Sequence, residues 1–114
     1  MANCKGVSYI AALTTLGTRA DGEALVRRLV MDRLVACGTI VESVLSIYRW
    51  KGALEETEEV MVVFKTRQDC WEELMSAVRE LHPYDVPELI ALPVTDGLPA
   101  YTEWLSEQTT QEST

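Results

Sequence analysis

The sequence predicts an α+β fold, a ferredoxin-like βαββαβ sandwich with an extra C-terminal helix. Three observations predict it. Apolar segments of strand period and of helix period follow one another along the chain in that order. Right-handed crossovers in such an order put the first and third strands in the centre of the sheet and the second and fourth at its edges. Pro93 then falls in an edge strand, where a missing N–H is tolerable.

Residues 7–14 read as a strand apolar on both faces, as befits one buried inside a sheet. A turn over residues 16–21 follows, and Thr18 with Asp21 three residues on resembles a capping box. A helix is expected from Arg19 or Ala20 to Leu34, with Leu25, Val26, Leu29, Val30 and Leu34 as its apolar stripe and Arg33 interrupting it. Residues 37–50 form a long strand, with Gly38 as a candidate bulge. Lys51-Gly52 makes the turn, because glycine takes positive φ without steric cost. Residues 59–66 pair back, and Glu55, Glu56, Glu58 and Glu59 form an acidic run after the turn, read as a solvated loop with weak oxygen coordination of hard cations as the alternative. A second helix spans residues 68–81 and stops at His82, since Pro83 disfavours helix in the residue before it. Residues 88–94 form the last strand. Pro99 opens a short final helix that carries Tyr101, Trp104 and Leu105.

The 114 residues suit one domain over 1–114, with an ordered core of about 6–107 and soft ends at residues 1–5 and 108–114. Hydrophobic residues make up 47% and charged residues 25%, which is a globular composition. A net charge of −8 argues against nucleic acid and anionic membrane surfaces as partners and would attract cations. Three widely spaced cysteines, Cys4, Cys37 and Cys70, suggest reduced thiols. With no signal-peptide pattern and no long apolar run, the expected location is cytoplasmic.

Several motifs carry a resemblance to a known family. They are the hairpin Ser46-Ile47-Tyr48-Arg49-Trp50-Lys51-Gly52, the Lys65-Thr66 strand end, the run His82-Pro83-Tyr84-Asp85-Val86-Pro87-Glu88, and Tyr101 with Trp104. In kind and order they resemble the CutA family of divalent-cation tolerance proteins, over roughly residues 7–105. Asp85 stands where that family usually has glutamate, and Val35-Ala36-Cys37-Gly38-Thr39 departs from its A-A-C-V-N. The resemblance implies a homotrimer of ferredoxin-like subunits similar to the PII signalling proteins, with an association with divalent-metal tolerance and copper binding.

The residues offer two kinds of candidate site. For Cu(II) or another divalent cation, His82 supplies the one imidazole and Cys37 a soft thiolate. The competing readings are a helix-ending histidine bonded to backbone and a small buried hydrophobe. One histidine and scattered cysteines do not make a tetrahedral site in one chain, whereas a threefold axis would triple each ligand. For a small-molecule ligand, Tyr48, Trp50 and Tyr84 would line a pocket, with Lys65, Arg67 and Glu88 as polar contacts. Subunit packing by the same aromatics is the alternative. No organic cofactor is indicated. There is no GxSxG, HExxH or Walker sequence. The expectation is therefore a trimeric binding or regulatory protein that takes a divalent metal, or a small anionic ligand in a PII-like intersubunit cleft, and not an enzyme. The alternatives are a structural or partner-anchoring trimer and an unrecognised hydrolase or transferase acting around His82.

Overall fold

A computed structural model describes residues 7–109. The expected soft end at residues 1–5, most of that at 108–114, and Cys4 lie outside these residues. Four strands and three helices follow in the order β1 (Tyr9–Leu16), α1 (Arg19–Met31), β2 (Cys37–Trp50), β3 (Ala53–Arg67), α2 (Trp71–Leu81), β4 (Ile90–Val94) and α3 (Pro99–Gln108). The sheet runs β2-β3-β1-β4, with all its pairings antiparallel. The first and third strands are central, as the βαββαβ order predicts, and Pro93 sits on the β4 edge opposite Ile10.

Alternation along β1 and β3 sorts the two faces. Ala12 and Leu16 of β1 with Val60, Val62 and Phe64 of β3 point to one side. There they meet Leu25 and Leu29 of α1 and Leu74 and Val78 of α2 in a single buried core. Helix α3 covers one end of the opposite face. Tyr9 Oη lies 2.7 Å from Ser106 Oγ, and Cys37 Sγ lies 3.7 Å from Tyr101 Oη. The rest of that face keeps Val41, Ile90 and Leu92 exposed.

Helix α1 starts as expected, with Asp21 N–H donating to Thr18 Oγ1 at 3.1 Å. It ends three residues earlier than its stripe suggests. Arg33 takes a φ of 62°. Leu34 N–H bonds Leu29 O and Arg33 N–H bonds Val30 O, which is the Schellman closure, built here on an arginine in place of glycine. Val30, counted in the stripe, is 39% exposed. The first three residues of the second predicted helix, Gln68–Cys70, form a separate 3-10 turn ahead of α2. Strand β4 is shorter than expected, because Glu88 and Leu89 belong to the segment leading into it.

The largest departure is in β3. It begins at Ala53, directly after a two-residue turn in which Lys51 and Gly52 both take positive φ, 51° and 83°. That is the type I′ pattern, whose twist matches the flanking strands. The acidic run is therefore strand and not loop: Glu55, Glu56, Glu58 and Glu59 pair with Tyr48, Ile47, Leu45 and Val44. Glutamate is depleted in strands, so composition hid the ladder. The bulge lies between Val41 and Val44, where Ser43 has a φ of 61°, and not at Gly38. Gly38 answers a different need. A Cβ there would stand 2.9 Å from both Val26 methyls and 3.2 Å from Phe64 Cδ1, so glycine lets α1 approach the strand.

Strand β1 stops pairing with β3 at Val60. Residues 44–50 and 53–59 therefore extend past the sheet as a two-stranded arm, about 23 Å long at ~3.3 Å per residue.

Candidate functional site

The site lies at the root of this arm. The loop over residues 82–89 leaves the C-terminus of α2 and crosses the end of β1 to reach β4 on the sheet edge. His82 ends α2 in an extended conformation and is buried. Its Nε2 donates to Thr15 O at 2.9 Å, and its Nδ1 accepts the Tyr84 N–H at 3.1 Å. Those two bonds define the neutral Nε2–H tautomer. Burial holds the imidazole pKa below its ordinary value, against the opposing pull of the Thr15 carbonyl, Asp21 and Glu59. His82 is thus a latch that fixes the loop to β1.

The latch aims Tyr84 at the arm. The Tyr84 hydroxyl donates to Glu59 Oε2 at 2.7 Å. Burial, then the Glu59 bond, pushes the phenol well above its usual range, so it stays a donor. Glu59 is only 7% exposed. Further out, Tyr48 Oη lies 3.0 Å from Thr57 Oγ1 across the arm. Between arm and loop is an open cleft of about 670 Å³. Its walls are Ser46, Ile47, Tyr48, Trp50 and Glu59 from the arm, Thr15 from β1 below, and Tyr84, Asp85, Val86 and Glu88 from the loop. The volume lies in the range of small-molecule sites.

Four of the six expected pocket residues, Tyr48, Trp50, Tyr84 and Glu88, meet here. Lys65 and Arg67 do not. Lys65 lies beneath α3, its Nζ 5.9 Å from the centre of the Tyr101 ring. Arg67 pairs with Asp69 at the sheet's other end, with Nη2 3.9 Å from Cys70 Sγ. Glu59 is the main residue the sequence reading missed: it was placed at the start of the returning strand and counted in the acidic run, but not named as a site residue. A signal was present: the two-residue Lys51-Gly52 turn fixes the register and puts Glu59 opposite Val44.

The two metal candidates are not brought together. Cys37 faces Lys65 across the ladder, at the level of Ala11 on β1, and sits with Tyr101. His82 bonds at Thr15, and both its nitrogens are engaged. Among the described residues no three His, Cys, Asp or Glu side chains gather to hold a metal. The described residues of one chain do not by themselves form a metal centre.

The architecture and the sequence both have close relatives. The family model for CutA1 divalent ion tolerance protein matches residues 10–108. The divalent-cation tolerance protein CutA of Pyrococcus horikoshii is 42% identical over 100 residues, covering 88% of this chain and 97% of its own. The chloroplastic CutA protein of Arabidopsis thaliana is 40% identical, over 92% of this chain and 58% of its own. Among solved structures, CutA1 from Oryza sativa superposes with a TM-score of 0.90 at 34% identity, covering 93% of this chain and 97% of that one. The CutA1 structure from Thermus thermophilus gives 0.86 at 38% identity, covering 89% and 98%.

Proposed function

The chain belongs to the CutA1 divalent ion tolerance family, and from that premise we propose that it works as a homotrimeric binding protein whose ligand site is the cleft at the root of the arm. One observation carries this reading. The arm exposes apolar residues on both its faces, with Leu45 at 58%, Leu54 at 67% and Trp50 at 47%, beside the open outer edge of β2. Soluble proteins do not leave such an edge and patch uncovered. A closed ring of like subunits would cover both, each arm lying against a neighbour. The cleft then opens toward the next subunit and would be completed by it.

The divalent-cation association of the relatives reaches this chain in a restricted form. A metal centre would need ligands from more than one subunit. Cu(II) at His82 would have to displace one of the two hydrogen bonds that fix the loop.

Sedimentation at micromolar concentration tests the assembly, and a thermal-shift series with divalent cations and small ligands tests binding. The expected results are a particle of three subunit masses and a midpoint that rises with ligand, because a ligand bound only by the folded state must stabilise it. A soluble monomer with no ligand response would overturn the reading.

A further inference from the structure

The sheet has two open edges, the outer side of β2 and the outer side of β4. Both are apolar on the face away from α1 and α2, where Val41 on β2 and Ile90, Leu92 and Val94 on β4 are exposed. An unpaired row of N–H and C=O groups beside exposed apolar side chains is a template for another strand. Strand directions decide how a second copy can use the two edges. Each neighbouring pair in the order β2-β3-β1-β4 is antiparallel, so β2 and β4 of one subunit run in opposite directions. A copy turned about an axis along the strands keeps those directions. Its β4 then lies antiparallel to this subunit's β2 and continues the alternation. Each subunit offers one edge of each kind, and a head-to-tail ring uses all of them. Pairing of β2 with β2 would leave every β4 open.

That pairing also places the arm. Strand β4 has five residues, one of them Pro93, so a strand added there gains few backbone bonds and side chains beyond it must carry the rest of the contact. Beyond β2 lie residues 44–50 of the arm, and beyond the start of β4, at the same end of the sheet, lies the loop over residues 82–89. A rotation preserves height along its axis. One subunit's arm therefore comes against the outer side of the next subunit's loop, which is left between two arms, its own and the neighbour's. The loop exposes Asp85, Val86 and Glu88. The arm exposes Ile47 and Arg49, and Arg49 takes part in none of the five ion pairs among the described residues. A cation on the arm and two anions on the loop make the two surfaces complementary in charge as well as in shape.

We propose that the ring closes by β2 of one subunit joining the open edge of β4 in the next, and that Arg49 of the first thereby pairs with Asp85 and Glu88 on the second subunit's loop. The occupant of the β4 edge is a second copy of this chain, and it contributes a guanidinium to the outer wall of the cleft. The inference rests on the assembly reading above and names the neighbour's surface that completes that site.

Two experiments on the full chain test the contact. In Arg49→Lys, a water-soluble carbodiimide should join the amine at position 49 to Asp85 or Glu88 of another subunit. Denaturing gels should then show covalent dimers and trimers, with the joined peptides identified by mass. The second experiment reverses charge. Sedimentation through a urea series finds the concentration at which the particle of three subunit masses is lost, and circular dichroism without urea checks that each variant is folded. Arg49→Glu should lower that concentration, and so should Asp85→Lys with Glu88→Lys, because each sets like charges against one another. The three changes in one chain restore opposite charges and should return it close to the wild-type value. Cross-links from position 49 that stay within a subunit or reach another surface would overturn the proposal, and they do so whether or not a reversal variant folds. Reversals without effect, or a combined variant as weak as either reversal, would overturn it too. A wild-type particle of two subunit masses would overturn the head-to-tail pairing. A trimer indifferent to all these changes sinks this inference alone, whereas a monomeric wild type sinks the reading beneath it as well.

Discussion

The Tyr84 hydroxyl donates to the buried Glu59 carboxylate across 2.7 Å, and through that bond the loop after α2 is fastened to the root of the arm. Tyr84→Phe removes the only described donor to Glu59. A buried acceptor stripped of its donor costs roughly 1–3 kcal/mol, so the variant should unfold at correspondingly lower denaturant. Adding Glu59→Gln to it should recover part of the loss. A double-mutant cycle on denaturation midpoints measures the coupling, and strictly additive effects would show that the bond contributes nothing.

The second prediction concerns acid. Burial lowers the folded-state pKa of His82 below its ordinary 6.5. The unfolded chain therefore binds a proton more readily than the folded one. The stabilisation is fully present above pH ~6.5 and is lost as pH falls through the lower folded value. Protonation also destroys the acceptor at Nδ1 that receives the Tyr84 N–H. Stability measured from pH 7 downward should decline in this window, and His82→Asn should flatten that part of the curve. An imidazole NMR titration with a midpoint above 6.5 would contradict the argument.

These two residues show what the sequence revealed and what it hid. The βαββαβ order was legible because each segment kept its period and because turns and caps such as Lys51-Gly52 and Thr18 carry local physics. The termination of α1 at Arg33 was not, since a left-handed arginine is chosen by the Schellman hydrogen bonds and not by propensity. Tyr48, Trp50, Tyr84 and Glu88 could be grouped because the hairpin and loop motifs lie on elements that converge at one end of the sheet. Within one chain Lys65 and Arg67 lie apart from these four, because α3 folds back over the face that Lys65 occupies and Arg67 sits at the sheet's other end, a tertiary choice with no local signature. Glu55, Glu56 and Glu58 were hidden as strand residues, because an acidic run reads as solvated loop until register makes it strand.

A third prediction uses two threonines on neighbouring central strands. Thr66 is fully buried and donates to Leu34 O at 2.8 Å. Thr14 is equally buried, and its hydroxyl finds no partner among the described residues. Valine has nearly the same shape without the unsatisfied group. Thr14→Val should raise stability by about 1 kcal/mol, whereas Thr66→Val should lower it by a similar amount. Thermal midpoints that move in the same direction for both would refute the distinction.

The fourth prediction concerns Gly38. An alanine methyl would sit 2.9 Å from two Val26 methyls, inside contact distance. The helix must shift or the valine must leave its rotamer, at a cost of roughly 1–3 kcal/mol. Gly38→Ala with Val26→Ala makes room and should recover most of the loss. If the glycine served a bulge instead, the second change would only add its own cavity penalty.

The last prediction asks whether the arm holds the subunits together. Leu45 and Ile47 are each 58% exposed on one side of β2 and lie opposite Glu58 and Glu56 on β3. Lysine at either position would face a glutamate across the ladder, a favourable cross-strand pair worth roughly 0.2–1 kcal/mol. Leu45→Lys with Ile47→Lys therefore does not penalise the isolated subunit and acts selectively on whatever covers the arm. In an interface the same lysines and their glutamates would be taken out of water, and the desolvation of both charges is unfavourable. Sedimentation should then show smaller particles than the wild type, with near-native circular dichroism and a midpoint that rises with protein concentration. An undiminished trimer carrying both lysines would show that the arm is not the contact, and the covering of the β2 edge would have to come from another surface.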